Sequence, residues 1–325
     1  MSSAREKQYT LAHGLCLHVK LREPALASAG SEFSVVVVFP LNMRCLPLLR
    51  FALLAAAFAV LPFTRAQSSA ANSKDAGPKL GLQTWTCRNM TFDQVVDFAV
   101  KHGITHIQFI AAHLDPNGPK EESLRKKAIL DQKGLVAYSF GVNKTSTDKE
   151  ANRKLFEFAK LMGIKVIIVE PRNMAEWDNL EELVKEYDIK LAIHNHGRGT
   201  VYGDPAMVKQ VLAQRDRRIG VCLDIGHVVG AGFDAAEVFR GYGDRVYDMH
   251  FKDKTVQTDA KGKATPVDTE IGKGDTKYPA LFAEMKKSKW SGVLAIETDS
   301  KAFAEDPNML VAGAKKFFAA NIGKK

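Results

Sequence analysis

From Pro78 onward, short apolar runs alternate with stretches whose apolar residues recur at helical spacing. The runs fall at residues 80–85, 104–110, 135–140, 164–169, 189–193, 219–223, 246–251 and 293–296, and each predicts a strand. Between them, Phe92, Val95, Val96 and Ala99 line one face of a predicted helix. The same spacing joins Leu155, Phe156, Phe158, Ala159 and Met162; Leu180, Leu183 and Val184; Val208, Val211 and Leu212; and Leu310, Val311, Ala314, Phe317 and Phe318. Gly103, Gly134 and Gly163 stand where helices should stop before the next strand. Eight such units predict one (β/α)8 TIM barrel of the α/β class over residues 79–325. No Gly-x-Gly-x-x-Gly follows the first run, so an open dinucleotide-binding sheet has little support. The polar connection 252–277 carries Gly262, Gly272 and Gly274 and predicts a lid.

Five of the runs close on polar side chains. These are Glu170, the triplet His194-Asn195-His196, Asp224, His250 and Glu297. A parallel barrel brings all its strand ends out on one face, so these groups should converge on one point. Nitrogen and oxygen donors without thiolates suit Mn²⁺ first, then Mg²⁺ or Co²⁺, with Zn²⁺ as a further choice. An ion held there would polarise a sugar carbonyl, and nearby carboxylates would shuttle the adjacent proton. His194 and His196 project to one side of an extended strand. His194 is expected as the ligand and His196 as the group facing substrate, with the reverse left open. Asp224 has a second role open to it, capping the following helix, and Glu170 could instead pair with Arg172. Trp85 suits either stacking on a sugar face or core packing. His106 is expected to pack within its strand, and His113 to reach the pocket rim.

The first 78 residues break the pattern. Arg44 and Arg50 precede the apolar stretch 51–63, and Thr64-Arg65-Ala66 offers a cleavage site. Residues 43–66 therefore predict a signal peptide, too short in its apolar core for the roughly 20 residues that span a bilayer. Residues 1–42 are expected to be a non-native upstream extension and 67–78 a flexible linker, with the mature chain periplasmic or secreted. The formal charge is +9, but seven Lys/Arg against three Asp/Glu in residues 1–66 supply +4 of it. The +5 left on the barrel segment, with both signs interspersed, argues against a nucleic-acid footprint. Cys87 and Cys222, on different predicted strands, give weak grounds for a disulfide.

Four motifs carry a resemblance: Leu223-Asp224-Ile225-Gly226-His227, Asp248-Met249-His250-Phe251-Lys252-Asp253, Ile271-Gly272-Lys273-Gly274 and Ala295-Ile296-Glu297. Together they resemble the xylose isomerase-like sugar phosphate isomerase/epimerase superfamily over about residues 80–323. The resemblance implies a TIM barrel that binds a divalent metal and isomerises, epimerises or dehydrates sugars and inositols; one branch of the superfamily cuts abasic DNA. By position it implies Asp224, His250 and Glu297 as ligands, Glu297 also as acid/base, His227 on substrate oxygens and Lys252 as a donor near the substrate. The family's epimerases carry Glu at the end of strand five, whereas His194 stands here. That weakens a two-carboxylate relay and makes Glu170 the expected second base, unless His196 or Lys252 makes the transfer. The His-x-His is also similar to the inosose dehydratase branch. The expected function is a metal-dependent isomerase or epimerase of a small sugar, keto-sugar or inositol, with a dehydratase or lyase as the alternative. A non-catalytic sugar-binding barrel and an abasic-site endonuclease stand further off. The expected partner is a small sugar or polyol, with no nucleic acid and no stable membrane anchor.

Overall fold

The computed structural model describes residues 77–322 and two strands, Arg5–Leu11 and Leu15–Leu21, which pair antiparallel with each other. The expected signal at 43–66 and nearly all of the linker lie outside the described residues.

Eight parallel strands close into a barrel: β1 (Lys79–Gln83), β2 (His106–Phe109), β3 (Val136–Asn143), β4 (Val166–Val169), β5 (Lys190–His194), β6 (Ile219–Asp224), β7 (Val246–Phe251) and β8 (Val293–Ile296). Each pairs with its sequence neighbours, and β8 pairs with β1. The architecture is the (β/α)8 TIM barrel that the alternation predicts. Apolar strand residues such as Leu82, Ile107, Phe140, Ile167 and Leu223 join one core with helix residues such as Val95, Phe156, Leu180 and Val311. All of these are fully buried, which explains why the runs read as continuous apolar segments.

Local chemistry sets the element ends. Thr91 and Gln94 form a reciprocal capping box at the start of the helix Phe92–His102. Gly103 (φ 63°) ends that helix and Gly163 (φ 77°) ends Lys149–Met162, both in the left-handed region that glycine enters without strain. β1 stops two residues earlier than expected. The Gln83 side chain accepts the Trp85 N–H, and the chain turns into a short 3₁₀ helix, Thr84–Cys87.

The connection after β7, where a lid is expected, is built from paired strands. It forms an antiparallel hairpin, Asp253–Thr258 with Ala264–Thr269. Asp268 pins it to the end of β8, accepting from Thr298 Oγ1 (2.6 Å) and the Asp299 N–H (2.6 Å). Asp253 gathers the turn that follows, accepting from the backbone N–H groups of Gly272, Gly274 and Thr276. Cys87 and Cys222 are free and buried. Among the described residues, no helix is long and apolar enough to cross a membrane.

Candidate active site

Strand alternation sends Ala192 and His194, Cys222 and Asp224, Asp248 and His250, and Ala295 and Glu297 to common faces of β5 to β8. At the strand ends three of these side chains meet. His194 Nε2 lies 3.2 Å from His250 Nδ1, and His250 Nδ1 lies 3.3 Å from Asp224 Oδ2. His194 Nε2 is 3.5 Å from the same Asp224 oxygen. Glu297 joins them through Oε2, 3.9 Å from His250 Nδ1.

Asp224 divides its carboxylate between two tasks. Oδ1 accepts the His227 N–H at 2.8 Å and caps the short helix Ile225–Gly230, while Oδ2 faces the cluster. Asn195 fixes the strand end itself: its Oδ1 accepts the Asp224 N–H (2.9 Å) and its Nδ2 donates to the Asp224 carbonyl (3.1 Å).

Lys252 enters this cluster more deeply than a surface donor would. Its side chain is buried, with Nζ 3.2 Å from Asp224 Oδ2, 2.9 Å from Asp299 Oδ2 and paired with Glu297. Burial alone would lower its pKa, but Asp224, Glu297 and Asp299 hold it well above the usual lysine value, so it is a fixed ammonium. Glu297 is pushed up to about 8 by burial, against the pull of Lys252. Asp224 is also fully buried, yet Lys252, His227 and the two histidines keep it well below the carboxylate range. His194 is driven well below the histidine value by burial, so it is neutral and able to offer a lone pair.

Glu170 and His196 form a second pair, with His196 Nδ1 donating to Glu170 Oε2 at 2.5 Å, and with His194 they bring three possible ligand atoms within 4.8 Å of one another. That bond raises the His196 pKa against burial. The His196 ring stands edge-on to His194 (4.5 Å between centroids) and 5.0 Å from His227. His227 Nε2 lies 3.4 Å from Asp299 Oδ2, and burial brings its pKa down to about 4.

A cavity of about 390 Å³ opens over these groups. Its lining combines Trp85, Ile110, Ala111, Ala112 and Val142 with His194, His196, His227, His250, Lys252, Glu297 and Asp299. Trp85 is 42% exposed there, so it lies at the cavity and not in the core. Its ring carries the Arg88 guanidinium 4.8 Å from its centroid. The structure brings His194, Asp224, His250, Glu297, Lys252 and His227 together and sets Glu170 beside His196. His113 does not reach the rim: it is buried and bonded to the Met90 carbonyl. His106 stands at the start of β2, near Lys79 Nζ (3.2 Å), away from the cavity. Sequence reasoning missed Asp299, although it follows Glu297 by two positions on an extended chain and so shares its side. It also missed the buried Gln108 and Asp248 and their neighbour Tyr138.

The donor set fits a divalent cation on its own chemistry. Two imidazole nitrogens and a carboxylate oxygen lie within 4.8 Å of one another, all on buried residues. Glu297 Oε2, paired with Lys252 Nζ and 3.9 Å from His250 Nδ1, lies beside these donors.

A sequence profile described as the Xylose isomerase-like TIM barrel matches residues 96–319. The chain belongs to this family. It is 26% identical over 290 residues to an inosose dehydratase of Clostridium perfringens, covering 74% of this chain and 96% of that protein. Among solved structures it resembles an uncharacterized protein from Parabacteroides distasonis (TM-score 0.58, 25% identity, 75% of this chain and 98% of that one). A D-allulose 3-epimerase from Methylomonas sp. shares the fold (TM-score 0.59, 16% identity, 76% and 98%).

Proposed function

We propose that this protein is a divalent-metal-dependent enzyme that removes a proton next to the carbonyl of a small keto-polyol and expels water. The observation that carries the reading is the approach of His194 Nε2, Asp224 Oδ2 and His250 Nδ1 to within 3.2–3.5 Å, with Glu297 beside them. A divalent ion held by His194, Asp224, His250 and Glu297 would supply Lewis-acid polarisation of a substrate carbonyl.

The chain's own groups then divide the proton work. Glu297, buried at the cavity beside Lys252, takes the proton from the carbon next to the carbonyl. His196, hydrogen-bonded to Glu170 and half-exposed in the cavity, gives a proton to the departing β-hydroxyl. The C–H and C–O bonds break, a C=C bond forms, and one water leaves. Lys252, His227 and Asp299 offer a fixed charge and hydrogen-bonding groups for the remaining hydroxyls.

Dehydration is favoured over epimerisation by His194. Epimerisation needs a base on each face of the carbon, and a neutral imidazole committed to an ion is not one. A single carboxylate base and an imidazole acid suit elimination. The similarity to inosose dehydratases points to inososes and related keto-sugars as the substrates to try. We take the chain to act after export, on the pattern at residues 43–66. N-terminal sequencing of the secreted form, expected to begin after Ala66, checks that.

The test uses the full chain, purified, analysed for metals and incubated in D₂O with free sugars, inosose and 3-keto-sugars. Expected is a product lacking one hydroxyl, formed only with metal present. Deuterium at carbon without water loss would replace dehydration by isomerisation. No conversion by a metal-loaded protein would overturn both.

A further inference from the structure

We propose that Gln108, held by Gln83 and Asp248, is a positioning residue that fixes the His250 ring proton on Nε2 and keeps Nδ1 bare toward Asp224. The orientation follows from groups that can only donate or only accept. The Trp85 backbone N–H lies 2.9 Å from one end of the Gln83 amide, so that end is oxygen. The Gln83 NH₂ group then faces the Gly141 carbonyl at 2.9 Å and Gln108 at 2.6 Å. The Gln108 atom receiving it is therefore Oε1. His250 Nε2 meets that same oxygen at 2.6 Å and has to donate. In the neutral ring, Nδ1 is left with its lone pair, 3.3 Å from Asp224 Oδ2 and 3.2 Å from His194 Nε2.

The far end of the chain of bonds is compatible with the same orientation, which the Trp85 end fixes. The Gln108 NH₂ donates to Asp248 Oδ2 (2.7 Å) and Ser139 Oγ (2.9 Å). Asp248 Oδ1 accepts from the Met249 N–H (3.0 Å) and from Tyr138 OH (2.9 Å). A backbone donor thus stands at each end, and no amide between them can flip without setting two donors or two acceptors against each other. Gln83, Gln108 and Asp248 are at most 2% exposed, so water cannot relieve such a mismatch. The lock stands on these hydrogen bonds alone; its consequence for a cation rests on the metal site proposed above. A bare Nδ1 is what a cation shared with Asp224 Oδ2 requires, and a proton there would block it.

The test reads the ring proton directly. Long-range ¹⁵N–¹H spectra of the metal-free full chain, taken at about pH 8 where histidines are largely neutral, should show His250 with its proton on Nε2. A His250→Asn variant assigns the signal. Gln108→Met removes the acceptor, and the His250 signal should shift to mixed tautomers. Mn²⁺ affinity measured by calorimetry should fall about 10–100-fold. The double variant Gln108→Glu with Asp248→Asn exchanges donor for acceptor while keeping charge and shape, and it should restore both readouts. It also keeps the proposal testable if Gln108→Met does not fold. A wild-type proton on Nδ1, or a Gln108→Met variant with unchanged tautomer and Mn²⁺ affinity within twofold, would overturn the lock. A locked tautomer that responds as expected in a protein that binds no Mn²⁺ supports the lock and overturns the metal reading instead.

Discussion

Asp224 is the residue on which the cluster turns, because its two oxygens serve different masters. Oδ1 caps a helix and Oδ2 faces two imidazoles and an ammonium. Asp224→Ala is expected to abolish stoichiometric metal by elemental analysis. It should also cost about 3–5 kcal/mol of stability, since it removes a buried partner of Lys252. Asp224→Asn keeps an oxygen for the cap and should cost less while still losing the metal; full occupancy in either variant would refute the ligand assignment. Glu170→Gln tests the other pair. It should lower turnover by about 10²–10⁴-fold with metal content unchanged, because Glu170 hydrogen-bonds His196 and is not one of the three buried donors His194, Asp224 and His250. Normal turnover there would remove the pair from the chemistry. The strand-end residues were legible because each interrupts an apolar run at its last position. Gln108 and Asp248 were not. A polar residue inside a strand has no sequence-visible partner, and theirs lie 140 residues apart in the chain.

The elements were legible where burial imposes a pattern. β6 is buried at every position, so it reads as apolar up to Asp224. The 253–269 hairpin is largely exposed along its second strand, so no apolar run marks it. Its only sequence signal is the β-branched content of Thr255, Val256, Thr258, Thr265, Val267 and Thr269. The contacts that hold it are polar and distant in sequence. Lys254 and Asp268, both nearly buried, pair across it, and Lys254 Nζ reaches Asp299 at 3.1 Å. The hairpin therefore supports Asp299 and, through it, Lys252. Asp268→Ala should release it. Hydrogen exchange across 253–269 should accelerate while β1 to β6 keep their protection. Unchanged exchange in the hairpin would mean that the Asp268 bonds do not hold it.

At the scale of the molecule, the barrel closes where β1 meets β8, and polar side chains after β1 clasp that seam, Thr86 Oγ1 donating to the Ile296 carbonyl at 3.1 Å. Arg88 follows β1 and donates to the carbonyls of Thr298, Asp299 and Ser300 after β8, at 3.0–3.1 Å. The cluster of His194, Asp224, His250 and Glu297 ties β5 to β8 at the same face. An ion bound there joins four strand ends that the unfolded chain would not hold near one another, so it stabilises the folded state by RT ln(1 + c/Kd), where c is the free ion concentration. At a hundredfold excess over its Kd the gain is about 2.7 kcal/mol. For a barrel of this size that corresponds to a rise in Tm of roughly 5–11 °C. Thermal melts with added Mn²⁺ should show the rise in the wild type and lose it in Asp224→Ala. Arg88→Ala should start from a lower Tm yet keep the increment, because the seam lies outside the donor set. If no divalent ion moves the wild-type Tm, the converging side chains are held by Lys252 and their own hydrogen bonds, and the metal-dependent chemistry fails.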